Sequence, residues 1–272
     1  MSEQIDYGKS YFSWERFCEI VKSKYRYTFF LNEDSDGNPL TNSLSQIWNC
    51  FKQEEILITS LSPKTPIYRG RKFEELPKKP YLSKMLGTPA QKDARSFNRF
   101  NSIGIPVFYG ALDSETAERE IDGLEPYLVI GEFHNTRTIK LLDLVEALEV
   151  SKSILLSKQL EKSKANDLLF FYSLAESLTL YVDDELDYIP TQIFAEYVRR
   201  VGYHDFGIRG IKYPSTKNPD GENVVLFYSN EECVDTENTD VDCLVLDKTY
   251  EYRREIFYAD YESPTENQEQ PQ

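Results

Sequence analysis

Residues 99–120, RFNSIGIPVFYGALDSETAERE, constrain this chain more than any other stretch. A turn with Gly104 and Pro106 leads into the apolar run 105–112, which has the β-branched and aromatic content of a buried strand. Asp113 or Ser114 then supplies a good N-cap for a short acidic helix. A strand that ends in an aromatic and feeds a glutamate-bearing helix places a carboxylate beside a cleft. Three glutamates compete for that place: Glu115, Glu118 and Glu120. At about 100° per helical residue, Glu118 and Glu120 point roughly 200° apart, so only one of them faces a given cleft.

Two other segments belong with this one. Upstream lies 66–71, PIYRGR; downstream lies 207–215, GIRGIKYPS, followed by 223–227, NVVLF. The upstream segment opens a basic region. Residues 64–99 hold ten Lys and Arg against three acids, a local balance of +7 that leaves −22 for the rest of a chain whose net charge is −15. The overall acidity argues against nucleic acid as a partner of the whole surface. The local excess suits a cleft for an anionic ligand, where the planar fork of Arg holds phosphate oxygens in pairs.

With 272 residues, 40% of them hydrophobic, the chain can bury a sizeable core as one large domain or two small ones. No run of about 18 apolar residues predicts a membrane span, and MSEQIDYGKS has neither the basic nor the apolar region of a secretory signal. Cys18, Cys50, Cys233 and Cys243 lack metal-ligand spacing, and His134 and His204 have no partners at helical spacing. The expectation is reduced thiols in a cytoplasm and no metal. Two histidines also make a histidine-based hydrolytic triad a poor fit. Neither GxGxxG nor a P-loop is present, so a Rossmann or Walker device is not indicated.

Trp14, Phe17, Cys18 and Val21 fall at helical spacing behind Ser13, and Leu44, Ile47, Trp48 and Phe51 repeat it behind Ser43. Both stripes read as packing faces, and 32–39 between them as a loop. Strands are expected at 127–133, 138–142, 207–213 and 222–228. Helix is expected over 153–182 and 190–201, with Pro190 in the first turn of the second and Gly202 at its stop. Regular βαβ alternation is absent, which predicts α+β. From Ser229 onward thirteen acids face three bases, and residues from 263 on lack apolar side chains and are expected to be disordered. Residues 243–246 and 256–258 could still add an edge strand or two. The expected division is a helical N-terminal module over 1–60, a catalytic region over 61–230 and an acidic extension over 231–272.

Taken together, the three segments resemble the RES domain, a bacterial family named for an arginine, a glutamate and a serine. Arg69, Glu120 and Ser215 match those three in order. Arg99, Phe100, Asn101, Gly104, Pro106 and Tyr109 match its Arg-aromatic-Asn, Gly-x-Pro and Tyr-ended strand, and the likeness covers roughly 64–228. The resemblance implies an ADP-ribosyltransferase-like mixed sheet and an enzyme that consumes NAD as substrate, with no bound cofactor. It further implies a toxin restrained by an antitoxin or other regulatory protein. In that setting Glu120 would stabilise the cation that develops on the ribose as nicotinamide leaves, and Arg69 would clamp pyrophosphate or ribose. Ser215 would hydrogen-bond ribose or phosphate, and Tyr109 would stack on a ring. Arg71, Arg99 and Tyr213 complete the expected substrate-binding set. ADP-ribose could pass to water or phosphate, or to a protein or nucleic-acid acceptor. A silent NAD- or ADP-ribose-sensing module is the third reading. The sequence leaves the oligomeric state open.

Overall fold

The computed structural model describes residues 13–27, 57–149, 162–180, 184–237 and 240–254. The first predicted helix is present as α1 (Trp14–Ser23). Ser13 Oγ accepts from the Arg16 amide, and Trp14, Phe17, Ile20 and Val21 are buried. Burial pushes the neighbouring Cys18 thiol up to about 12, so it is an inert packing group. The stripe at 44–51 lies outside the described residues, as do 256–258 and the tail from 263.

The remaining elements build one mixed sheet. Along the chain come β1 (Ile58–Leu61), β2 (Pro66–Phe73), the one-turn α2 (Ser83–Leu86), β3 (Phe108–Ala111), α3 (Ser114–Arg119), β4 (Tyr127–Asn135) and β5 (Ile139–Asp143). Then follow α4 (Lys162–Leu178), α5 (Ile189–Tyr197), α6 (Tyr203–Phe206), β6 (Ile208–Pro214), β7 (Glu222–Leu226), β8 (Cys233–Val234) and β9 (Leu244–Arg253). The strands lie in the order β1-β5-β6-β7-β3-β2-β4-β9-β8. Neighbours are antiparallel except β5 with β6 and β8 with β9. Helices packed on a mixed sheet make the chain α+β, as its irregular element order predicts.

Apolar patterning explains the layers. α1, α4 and α5 press Trp14, Phe17, Phe170, Phe171 and Phe194 together and onto the sheet. Trp14 meets Phe170 edge to face at 5.7 Å, a geometry worth about 0.5–1.5 kcal/mol beyond the area it buries. A second cluster, with Ile67, Phe108, Val129, Phe133 and Tyr228, lies beneath β2 and β4.

Two expectations need correction. Gly202 does not stop the helix: it keeps helical angles (φ −62°), and the chain continues through a wide turn, Val198–Gly202, into α6. Gly207 supplies the stop, at φ +70°, where a side chain would be strained. The strand expected at 243–246 runs on to Arg253 and pairs with β4 along its whole length. Its second half, DKTYEYR, is largely exposed, so no alternation marked it as a strand. β1 and β8–β9 lie in the same sheet as the strands from the middle of the chain.

One junction in the sheet matters most. β2 and β3 share a single register pair, Tyr68 with Ala111, whereas β2 pairs with β4 at eight positions. Contact there requires Gly110, because a Cβ would lie 2.9 Å from Ile67 Cγ2 and 3.0 Å from the Tyr68 carbonyl oxygen. Beyond that point the two strands part.

Candidate active site

A cleft of about 590 Å³ opens at this parting, lined by residues of β2, β3, the end of α3, the 93–101 loop and the turn after β6. Its volume falls in the ordinary range for small-molecule sites. Six basic residues line it (Arg69, Arg71, Lys72, Arg95, Arg99 and Lys217) against three acidic ones, Asp93, Glu120 and Asp122.

The carboxylate is placed by the strand–cap–helix unit that the sequence announces. Asp113 caps α3, accepting from the Thr116 amide at 2.8 Å and the Thr116 hydroxyl at 2.6 Å. Glu120 stands at the helix end and lines the cleft. Glu118 is exposed, and Glu115 is turned outward to Arg119 at 2.5 Å, which decides among the three glutamates. Ser215 Oγ and Asn223 Nδ2 each donate to Glu120 Oε1 at 2.6 Å.

Ser215 therefore sits behind the carboxylate and not in the cleft wall, where its neighbours Pro214 and Thr216 stand. Its oxygen accepts from the amides of Lys217 (3.1 Å) and Asn218 (3.0 Å), so both lone pairs are engaged and its one hydrogen goes to Glu120. No hydrogen is left over for a ribose or phosphate, in contrast to the role the resemblance implied. The 215–221 turn is laced to α3 by Asn218 Nδ2 on Thr116 Oγ1 (2.7 Å) and by Lys217 Nζ on the Glu120 carbonyl (3.2 Å).

The opposite wall is cationic. Arg69 donates from Nη1 to the Tyr109 carbonyl and lies with Cζ 5.3 Å from the Phe108 ring centre. Arg71 Nη2 donates to the Gly87 carbonyl at 3.0 Å. The Nε atoms of both are buried without a partner. Desolvation, with Arg71 adding repulsion, pushes Arg69 down to about 9, and burial lowers Arg71 as well; both stay protonated at neutral pH. Arg99 Nη2 is held by the Leu180 carbonyl at 2.6 Å, and Arg95 Nε donates to the Lys92 carbonyl at 3.0 Å. Among the described residues none of these four guanidinium groups is paired with a carboxylate.

Tyr109 lines the cleft while its hydroxyl ties β3 to the preceding loop. That hydroxyl donates to Asn101 Oδ1 at 2.9 Å and accepts from the Phe100 amide at 3.0 Å. Tyr213 stands next to it, edge-on to Phe100 at 4.9 Å. Burial raises both phenols well above their ordinary value, so both are neutral. Arg69, Arg71, Arg99, Tyr109, Glu120 and Tyr213 thus share one cleft, with Ser215 as support. Asn223 was not singled out by the sequence as a site residue, and Asn101, matched as part of the Arg-aromatic-Asn pattern, had no role assigned to it. The available signal for Asn223 was a carboxamide at the head of an otherwise apolar strand.

Among the described residues no cluster of three His, Cys, Asp or Glu side chains could hold a metal ion. Nor is any helix long and apolar enough to cross a membrane. A clamped carboxylate and four arginines without a carboxylate partner among the described residues thus line one cleft of a mixed α+β fold. The RES domain model matches residues 74–249, well over half of the chain, and the protein belongs to that family. The family is linked to NAD-related toxin–antitoxin systems and to NAD-related enzymatic activity in general, and it is consistent with an ADP-ribosyltransferase-like fold. No curated protein matches the chain. The matched span contains Glu120 and Ser215 and begins after β2, so Arg69 and Arg71 owe their place in the site to the pairing of β2 with β4.

Proposed function

We propose that this protein consumes NAD by breaking the nicotinamide–ribose bond and passing ADP-ribose to water or phosphate, thereby depleting NAD. In that reaction the bonding pair of the C1′–N bond leaves with nicotinamide, which departs neutral, and positive charge builds on the ribose. Glu120 meets that charge. Because the leaving group needs no proton, one carboxylate suffices where glycosidases use two. Water attacking C1′ gives ADP-ribose and releases one proton to solvent; phosphate gives the 1-phosphate ester instead. Arg69 and Arg71 hold the pyrophosphate, Arg99 sits at the rim, and Tyr109 and Tyr213 offer ring faces and edges to a base.

The observation that carries this reading is the Glu120 carboxylate, fixed through one oxygen by Ser215 and Asn223 in a cleft whose remaining charge is mostly basic. A preorganised anion of this kind stabilises developing positive charge without reorganising during the reaction. The family's link to toxin–antitoxin systems makes a regulatory protein partner part of the same reading. The test is nicotinamide release from NAD by the purified chain, with and without inorganic phosphate, alongside NAD labelled in its adenylate. Release without label on macromolecules supports the proposal. Label on protein or nucleic acid would make it a macromolecular transferase, and NAD binding without release would make it a sensor.

A further inference from the structure

We infer that Asn223 positions Glu120 on a par with Ser215, and that the second carboxylate oxygen, Oε2, is the one presented to the reacting ribose. The last clause rests on the proposed reaction; the first rests on geometry alone.

Asn223 lies near the start of β7, opposite Ala111 of β3 on one side and Tyr213 of β6 on the other. Its backbone is therefore held by ladders on both sides. The residue is 4% exposed and is followed by the fully buried Val224, Val225 and Leu226. A carboxamide buried in such a run is costly unless it is bonded. Its bond goes to Glu120 Oε1, and since a carboxylate only accepts, the amide nitrogen must be the atom that faces it. Asn is suited to this place because it brings a donor without charge. Asp there would set two carboxylates against each other, and an apolar residue would remove one of the two donors.

The two donors reach Oε1 from different elements, β7 and the turn after β6, which fixes the plane of the carboxylate. Oε2 takes no hydrogen bond among the described residues. Charge-assisted bonds are about twice as strong as neutral ones, so this clamp orients the group firmly. The other charged or titratable groups around it come from several elements. β2 offers Arg69, Arg71 and Lys72, β3 offers Tyr109, and β6 offers Tyr213 and Lys212, the last bound to Glu222 of β7. Glu132 of β4 is engaged by Lys248 and Tyr250. α3 adds Glu115, Glu118 and Arg119, and Lys217 is paired with Asp122. None of these changes when Asn223 is substituted.

The experiment compares Asn223→Ala, Asn223→Asp and Asn223→Thr with the natural chain. It measures kcat and KM for nicotinamide release, thermal unfolding, and the position of the Glu120 carboxylate in a crystal structure of each folded variant. Asn223→Ala should lower kcat by roughly 10- to 100-fold with KM within about threefold, and turn the Glu120 carboxylate out of the plane it holds in the natural chain. Asn223→Asp, which sets a second carboxylate against Oε1, should lose at least as much. Asn223→Thr, with a hydroxyl donor that strands tolerate, should recover part of the loss. A folded Asn223→Ala with natural kcat and an unmoved Glu120 carboxylate would overturn the inference. If that variant fails to fold, the isosteric Asn223→Asp decides on the same two readings. If the natural chain releases no nicotinamide, the proposed reaction and the role of Oε2 fall, and the position of the carboxylate still decides whether Asn223 positions Glu120.

Discussion

The two walls of the cleft hold their charges in opposite ways. Glu120 is clamped by side-chain donors that complement its charge, and it is backed by a turn that is itself laced to α3. Arg69 and Arg71 are clamped by neutral backbone carbonyls, keep a buried Nε without a partner and meet no carboxylate among the described residues. One oxygen of the anionic wall is doubly bonded within the protein. The cationic wall keeps buried donors unmet, and desolvated arginines left in that state are stabilised when an anion enters. In the proposed reaction the first wall is therefore suited to chemistry and the second to capture.

Glu120→Gln breaks the first wall and should have the largest effect. It keeps shape while removing charge, so nicotinamide release should fall by roughly 10²–10³-fold, about 3–4 kcal/mol of lost transition-state stabilisation. NAD affinity, read by calorimetry, should change little. Glu118→Gln, on the exposed face, should stay near natural activity. A dead Glu118 variant beside an active Glu120 variant would reverse the assignment.

Arg69→Gln breaks the second wall, with a signature of its own. NAD affinity should drop by roughly 100-fold, since a buried charged partner of a phosphate is removed. Yet the midpoint of thermal unfolding should hold or rise, because an uncompensated buried cation goes with it. A fall of more than about 5 °C would show that Arg69 serves mainly as a strut for β3 through the Tyr109 carbonyl. Arg99 lies at the half-buried rim and is held by the Leu180 carbonyl. Arg99→Ala should weaken NAD by only about tenfold, and the loss should shrink as salt is raised, since rim charges are screened. Equal losses at Arg69 and Arg99, with the same salt dependence, would erase the distinction between a desolvated wall and its rim.

The two walls also differ in how far the sequence disclosed them. Glu120 was legible because a strand, a cap and a helix are local patterns, and because helical geometry allows only one of Glu118 and Glu120 to face a cleft. The half-buried Glu120 lines the cleft and the exposed Glu118 does not, in keeping with that rule. The arginines were legible as a local charge excess, but their lack of partners was not, since pairing depends on contacts between distant segments. Asn223 and the support role of Ser215 were hidden for the same reason, being 103 and 95 residues from Glu120. β9 was anticipated only as far as residue 246, because the rest of a strand near the sheet edge can be mostly exposed and polar and still be held by its ladder. Gly202 misled because a glycine can be helical as readily as left-handed, and only the continuing turn distinguishes Gly207 as the stop.

The smallest effects concern pH and compare the cleft with the far side of the sheet. Burial raises the phenols of Tyr109 and Tyr213 in the cleft, and that of Tyr228, which donates to Asp242 at 2.6 Å beneath Arg209. A group whose folded value lies above its unfolded value contributes stability that is present below about pH 10 and is lost as pH rises past it. Arg69, pushed down to about 9, has the opposite sign: above that pH the unfolded chain binds the extra proton, and stability rises. Between pH 9 and 10 the arginine offsets part of the loss from Cys18 and Cys233, whose buried thiols also lie above their ordinary value, so urea unfolding should show only a slight fall in stability there. Above pH 10 the three phenols prevail and stability should fall, each costing about 1.4 kcal/mol by pH 11. Tyr228→Phe should remove one such share without touching NAD affinity, whereas Tyr109→Phe should remove a share and also weaken NAD by loosening Asn101 and the Phe100 amide. Arg69→Gln should steepen the fall between pH 9 and 10. If Tyr109→Phe or Tyr228→Phe removes phenolate absorbance that titrates near pH 10 in the still-folded protein, that ring is open to solvent and the assignment of the alkaline loss to it fails.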